Sequence, residues 1–559
     1  MLRQYLELKN QAGAALLLYR MGDFYELFFE DAQIAAPVLG VTLTRRRHND
    51  NVEAPMCGIP HHAFGSYIGK LLDAGFRVAV AEQVEDPATA KGLVRREIVR
   101  THTPGTISET DLLDGSDRCY LAAYGGDGES LALAWIEVST GTLEGIRCGS
   151  SQALTECLAQ LRPRELLVAE GWDGWKALWP ADLEIPTLTP AEPELFSPTA
   201  GEQRLKRVLR VGSLRGFGLE SGEKLVGMAG ALLGYVESTQ KGALHHLRNF
   251  VRRSAGDALI IDRASLRNLE IERAADGSRS TSLVAVLDHT STRMGSRLLR
   301  DWVTVPSIDI EEIGERQRAV AELVEDADLL GAMTAALDGL PDLERLAGRV
   351  GMAFATPREL ATLRSALGML PGLVKTAERA TSPRMRQLGA DLDPLTDLHE
   401  ILRTRLAGEP PHAVGPGTIA TGWDAELDEQ RKLARGGKEL LAGIESTERD
   451  RTGISTLKIK YNRVFGYFLE VSKSHVDRVP ANYERRQTLT NAERYVTPEL
   501  KELEAKILAA EELSNSRERE LFADLLDELS THARRIAVTA GMVAQLDVLT
   551  AFADRARRF

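Results

Sequence analysis

A chain of 559 residues is longer than the roughly 250 to 300 at which a single hydrophobic core stops growing, so several domains are expected. Its composition, 43% hydrophobic and 27% charged, is that of a soluble globular protein. No apolar run approaches the ~18 residues needed to span a bilayer. The opening MLRQYLELKNQ lacks the apolar core of a secretory signal, so a cytoplasmic location without a membrane partner is expected. Cys57, Cys119, Cys148 and Cys157 form no CxxC pair and have no nearby ligand histidines, so free thiols are expected, not zinc or disulfides. The formal net charge of -12 opposes nucleic acid in the sum, because phosphate binding rests on Lys and Arg. The distribution matters more: between Arg451 and Thr497 nine basic residues stand against four acidic ones. That is the pattern of an acidic protein that grips DNA at few points.

Residues 1–106 read as a small α/β domain. The apolar run Ala14 to Tyr19 predicts a strand. Asp23 then opens a predicted helix with Glu26 at capping-box spacing, which puts Phe24 in the first exposed turn of MGDFYELFFE. A ring at a helix tip, with a carboxylate two positions later, can enter a base stack. Minor-groove proteins insert such apolar wedges between base steps, and insertion is cheapest where stacking is already weak, as at a mispair. Phe24, Phe28 and Ala32 also stand at i, i+4 and i+8, ordinary core spacing, and Glu26 could serve only as a cap, so spacing leaves both readings open. A strand in VTLTRRR, a polar loop HNDNVEAPMCG, a helix from His62 to Ala74, and strands FRVAVAEQV and VRREIVRT follow. Arg45, Arg46, Arg47, Arg95, Arg96 and Arg100 gather at strand ends. They form either a solvated rim or phosphate contacts that carry no sequence information, and Arg46 and Arg100 are the candidates taken from this set.

Residues 107–240 carry a second α/β pattern. Strands CYLAAYGG, LALAWIEVS and TLEGIRC precede a helix SQALTECLAQL and a strand ELLVAEG, and a Pro-rich stretch from Pro186 to Pro198 breaks the run. The order suits an RNase H-like sheet. A nuclease of that type needs carboxylates converging on two metals, and Glu137 has little to partner it, so a connector is expected.

Residues 241–422 turn helical, with i, i+3, i+4 apolar repeats punctuated by Pro306, Pro341, Pro357 and Pro371; these are packing residues with no assigned chemistry. Residues 423–497 begin with a long charged helix. They continue into TLKIKYNRVFGYFLEVSKSH, which alternates like two strands, and ANYERRQTLTNAERYVT. Residues 498–559 return as long helices, with Pro498 well placed in a first turn. An insertion between two long helices is expected at the tip of an antiparallel arm. Lys458, Lys460, Asn462, Arg463, Lys473, Arg485, Arg486, Gln487 and Asn491 suit phosphate oxygens there, or else form an ordinary solvated hairpin.

The strings GDFYELF, DPATAKG (Asp86 to Gly92) and TPGT (Thr103 to Thr106) resemble the mismatch-recognition domain of the MutS family of DNA mismatch repair proteins. DRASLRNLEI and LDHTSTRMGSRLLRDWV resemble that family's core. The resemblance implies a multidomain α+β protein. It would comprise a mismatch-binding domain and an RNase H-like connector, both α/β, then a helical core whose long lever helices carry a small β-rich clamp. It further implies that Phe24 stacks on a mispaired base, that Glu26 hydrogen-bonds it, and that the clamp holds the backbone. MutS proteins continue into an ATPase domain, but GxxxxGK[ST] does not occur in this sequence, and GSYIGKLL and ARGGKELL have the wrong spacing. The expectation is therefore a mismatched or looped double-stranded DNA binder with no catalysis, cofactor or metal of its own. ATP and magnesium would belong to an absent C-terminal domain, and a homodimer and MutL would be partners by resemblance. The alternatives are a structural or protein-interaction fragment without autonomous DNA binding and, less favoured, an RNase H-like nuclease.

Overall fold

The computed structural model describes the chain except residues 48–52, 86–92, 110, 111, 114, 127–129, 182, 242, 243, 245, 248, 255, 257, 258, 260, 463–465, 490 and 559, and the side chains of 46, 47, 435 and 437–439. The motif DPATAKG and the candidate Arg463 lie outside the described residues. Two compact units emerge, one of Met1–Ala355, Ser365–Thr396 and Glu528–Phe559, the other of Thr356–Arg364 and Asp397–Asp527. Among the described residues, three β-sheets and a large helical region make this a multidomain α+β protein.

The first sheet uses β1 (Leu16–Met21), β2 (Phe24–Phe28), β3 (Thr44–Arg47), β4 (Glu53–Pro60), β5 (Val78–Gln83) and β6 (Arg96–His102) in the order β3-β4-β2-β1-β5-β6. Only β1 and β5 among its neighbours run parallel. Alternation sends Leu16, Leu18, Tyr25 and Leu27 to one face, under the helices Phe29–Leu39 and Phe64–Asp73. Leu17, Tyr19 and Phe28 go to the other, under Tyr5 and Leu8 of the helix Leu2–Ala12. The polar loop expected around EAPMCG is instead β4, because its inward residues Ala54, Cys57 and Ile59 complete the two cores.

The second sheet is built from β7 (Leu121–Gly125), β8 (Leu131–Glu137), β9 (Thr142–Cys148), β10 (Glu165–Ala169), β11 (Thr187–Ala191) and β12 (Val251–Arg253), in the order β11-β10-β7-β8-β9-β12. Its faces are covered by the helix Ser151–Leu161 on one side and by Pro198–Leu209 and Lys224–Gln240 on the other. Two features depart from the sequence reading. Thr187–Ala191 forms a strand within the Pro-rich stretch, where Pro190 is tolerable on an edge strand. Val251–Arg253, in the stretch read as helical, adds the other edge strand.

Between these sheets the TPGT segment wraps a buried carboxylate. Glu165 accepts hydrogen bonds from the Thr103 hydroxyl, from Gly105 N at 2.9 Å, and from Thr189 Oγ1 and Tyr235 Oη at 2.7 Å each. A side chain at Gly105 would put its Cβ 2.6 Å from Glu165 Cβ, so glycine is required there by close approach.

Among the helices of the first unit, Thr292, Asp309, Asp326 and Asp342 each cap the next helix by accepting a backbone N–H, the standard answer to unsatisfied N-terminal donors. The fully buried Arg297 is neutralised by Asp342, at 2.7 and 2.8 Å, and by Glu344 at 2.7 Å. The helix Ala533–Arg558 contains an 18-residue window apolar enough to cross a membrane by composition, contrary to expectation. That window is 67% buried and packs into the helical region, so its apolarity is that of a core helix.

In the second unit, helices Ala425–Thr452 and Pro498–Ser530 flank a four-stranded sheet of β13 (Lys458–Asn462), β14 (Gly466–Ser472), β15 (Glu484–Thr488) and β16 (Ala492–Val496), in the order β13-β14-β16-β15. Leu469, Val471 and Tyr495 on one sheet face join Leu441, Leu500 and Ile507 of the helices in a single core.

Candidate nucleic-acid interface

The capping-box reading of Asp23 and Glu26 fails. Gly22, at φ +58°, and Asp23 form a two-residue hairpin loop, and Phe24 to Phe28 is a strand; the helix starts only at Phe29. The aromatic-rich FYELF satisfies its backbone against β1 and β4 and buries alternate side chains on two cores, which a helix at this place could not do. Strand geometry changes the meaning of the Phe-x-Glu spacing. Residues i and i+2 share a face of a strand, so Phe24 and Glu26 stand side by side.

Phe24 is 49% exposed, Glu26 is half-buried, and Phe28, next on that face, is fully buried against Tyr5. The strip thus runs from core to solvent, with Phe24 at its open end. Across the ladder Phe24 faces Met21 and Pro60, and Glu26 faces Tyr19 and Gly58. The backbone beneath is tightly held. His61 N donates to Asp23 O at 2.8 Å, and Tyr25 packs on His61 and Phe64 and donates to Glu82. Burial, followed by the Glu82 charge, pushes the Tyr25 phenol far above its ordinary range, so it stays a neutral donor.

The arginines of this domain separate. Arg45 is exposed and lies 3.5 Å from Glu53; Arg46 sits on β3, opposite Ala54, and its side chain is outside the described ones. Arg100, a backbone-contact candidate, is buried instead. It bonds Glu109, Gln240 Oε1 at 2.5 Å and Ser108 Oγ at 2.7 Å, under the ring of Phe354. Arg96 is likewise buried, over Tyr19. The physical reason is register: burial falls on residues 96, 98, 100 and 102 of β6, and an irregularity opposite Val80 and Ala81 puts Arg96 and Ile98 on the face of Tyr19 and Ala81 and Arg100 and His102 on the face of Val78 and Val80, so both arginines are turned inward, on opposite faces. The alternation around Ile98 was the sequence signal for this, outweighed by the habit of placing charge outside. Glu109, held by Arg100, His102 and Arg349, has its carboxyl well below the usual range, the cations outweighing burial.

On the second unit's sheet the register places Lys458, Lys460, Phe468, Glu470 and Arg494 on the face opposite the core. Lys460 bonds Glu470 at 2.7 Å, which holds that carboxyl below its ordinary value. Arg494, not singled out from sequence, lies 4.3 Å from the Phe468 ring centroid and donates to Gln487 Oε1 at 2.7 Å. Gln487 is therefore tied to Arg494. Arg485 is exposed 3.7 Å from Glu493, and Arg486 is exposed 3.8 Å from Glu484. Lys458, Lys473 and Asn491 are exposed, while Asn462 is half-buried at the end of β13. On the second sheet of the first unit, Glu137 is fully buried and receives Arg118 at 2.7 Å and the Thr140 hydroxyl at 3.1 Å.

Residues 264–553 match the family model for MutS domain III, residues 1–111 that for MutS domain I, and residues 119–248 that for MutS domain II. The chain is 41% identical over 564 aligned residues to the DNA mismatch repair protein MutS of Syntrophobacter fumaroxidans. That alignment takes in all of this chain and 63% of the relative's length.

Proposed function

The chain belongs to the MutS family, and from that premise we propose that it recognises mismatched or looped double-stranded DNA in mismatch repair. In this reading residues 1–106 form the mismatch-recognition domain, 107–240 the connector, 241–422 the helical core, 423–497 the lever helix and clamp, and 498–559 the returning lever and core. Phe24 enters the minor groove at a weakened base step and stacks on the unpaired base, while Glu26 hydrogen-bonds that base. Arg46 and the clamp residues Lys458, Lys460, Asn462, Arg463, Lys473, Arg485, Arg486, Gln487 and Asn491 contact phosphates, a sequence-blind grip suited to lesions in any context. Arg100 is left out because its guanidinium is committed to Glu109, Gln240 and Ser108.

The observation that carries the reading is the half-exposed Phe24 ring on a strand pinned at both edges, with Glu26 on the same face. A ring on such a support has little backbone freedom left to lose on insertion, so stacking energy is retained as binding energy. These residues supply binding and no bond-breaking step of their own. ATP-driven steps with magnesium, a homodimer, MutL as partner and a cytoplasmic location belong to the same proposal. A nuclease reading finds no support in Glu137, whose oxygens are taken up by Arg118 and neighbouring hydroxyls.

The test is titration of this chain with matched and singly mismatched duplexes of one sequence. Base stacking worth ~1 to 3 kcal/mol means that Phe24→Ala lowers the preference for the mismatch by roughly 5- to 150-fold. An unchanged preference removes the wedge. Absence of salt-dependent binding to either duplex would instead favour the protein-interaction alternative.

A further inference from the structure

Among the described residues, four glycines lie inside strands, and the fold accounts for three of them. Gly145 in β9 has no room for a side chain, since a Cβ there would stand 2.6 Å from Leu225 and 3.0 Å from Leu133 O. Gly125 in β7 lies against Met228, which a Cβ would meet at 3.3 Å, and Gly466 in β14 takes φ +73° beside Glu504. Gly58 in β4 has neither reason. Its φ is outside the left-handed region, and a Cβ there would meet Tyr25 O at 3.4 Å and Glu26 Cγ at 3.7 Å, ordinary contacts. A glycine within a strand weakens it, having no side chain to pack and more backbone freedom to lose, and often marks a place where a ligand comes close.

Gly58 stands beside the two residues assigned to the base. It faces Glu26 across the ladder, next to the pair Phe24 and Pro60, and residues directly opposite on paired strands share a face. On the other side of Glu26 the same row is filled by Tyr19, fully buried and donating to Gln4 Oε1. The described ladder between β4 and β3 starts with Thr44 opposite Met56, one row deeper. The row Tyr19, Glu26, Gly58 thus ends in a ring on one side and in no side chain on the other.

We propose that Gly58 is a specificity-determining residue for mismatch recognition, leaving its end of the row empty so that the unpaired base fits beside Glu26 while stacked on Phe24. The inference rests on the reading of Phe24 and Glu26 given above. A side chain at position 58 would lie along Glu26 and reach Phe24 on the diagonal, so its bulk takes the volume that the base needs. An unpaired purine, being the larger base, is excluded before a pyrimidine.

The experiment uses the whole chain with Gly58→Ala and Gly58→Val, and titrates a matched duplex and duplexes carrying one extra adenine or one extra thymine. Gly58→Ala is expected to melt at or above the temperature of the unsubstituted chain and to lose more preference for the extra adenine than for the extra thymine. Gly58→Val is expected to lose at least tenfold of the preference for either, with matched-duplex affinity unchanged. A lowered melting temperature in Gly58→Ala would overturn the proposal, because the fold would then need the glycine. Phe24→Ala, measured alongside, separates the two claims. If Phe24→Ala loses preference and neither Gly58 variant does, the role of Gly58 is overturned and the wedge stands. If Phe24→Ala loses none, the wedge falls and this inference with it.

Discussion

The Glu165 carboxylate offers the sharpest energetic test of how the two N-terminal sheets are joined. Glu165→Ala removes the acceptor of four donors, from Thr103, Gly105, Thr189 and Tyr235, at a fully buried site. An orphaned buried donor costs ~1 to 3 kcal/mol. The Thr103 hydroxyl keeps a partner in Thr106 Oγ1, 2.8 Å away, and the substitution also relieves the cost of holding a charge away from water. Three donors left without a partner, less that relief, set a loss of ~3 to 5 kcal/mol. Glu165→Gln keeps the shape and one acceptor oxygen, and should lose ~1 to 2 kcal/mol. Urea unfolding followed by tryptophan fluorescence reads this directly, since Trp135, Trp172, Trp175 and Trp179 all pack on the second sheet. Hydrogen exchange at the Gly105 amide locates it. A Glu165→Ala shift worth under ~1 kcal/mol, with the Gly105 amide still protected, would show that the linker is held by something else.

Three further outcomes are expected. Asp547, 1% exposed, accepts from Ser291 N, Thr292 N and Thr292 Oγ1, yet burial raises its carboxyl from 3.8 to about 6. The folded state therefore holds this proton more tightly than the unfolded one, and stability from this group falls as pH rises from about 4 through about 6, by ~3 kcal/mol in all. Denaturant midpoints measured across that window should lose this slope in Asp547→Asn. Glu518, fully buried, gathers the N–H groups of Gly417, Thr418 and Ile419 at 2.8 to 3.0 Å and pairs with Arg431. Glu518→Ala should cost ~3 to 5 kcal/mol and expose those three amides to exchange, and unaltered exchange would refute the assignment. Replacing Lys458 and Lys473 together by Ala should weaken matched and mismatched duplexes alike and flatten the salt dependence by up to ~2 in slope. A selective loss for one duplex would contradict a backbone role.

The architecture was legible where a period was strong. β7, β8 and β9, the helix Ser151–Leu161 and the long charged helix followed from alternation or helical repeats. What escaped depended on partners distant in sequence. Phe24 to Phe28 satisfies a helical spacing and a strand alternation equally, and only pairing with β1 and with β4, some thirty residues on, decides between them. The helix Lys224–Gln240 is buried around most of its circumference, so no polar stripe betrayed its orientation. Arg100 and Arg96 were read as surface charge because their acceptors, Gln240, Glu109 and the Arg20 carbonyl, are contributed by other elements.

Within the proposed function, the cations of the clamp sheet set the terms on which it holds a duplex. Lys460 is engaged by Glu470, Arg485 lies near Glu493 and Arg486 near Glu484, so an arriving phosphate must exchange with a carboxylate already in place. Exposed pairs of this kind are worth little, ~0 to 1 kcal/mol each, and the exchange is close to neutral for any one contact. Affinity then accumulates from counterion release over many weak contacts, which is sensitive to salt and indifferent to sequence. A grip of that sort cannot distinguish a mispair from a matched step. Within the proposed function, discrimination must therefore come from the other unit, where one aromatic ring on a rigid strand meets a base pair whose stacking is already compromised.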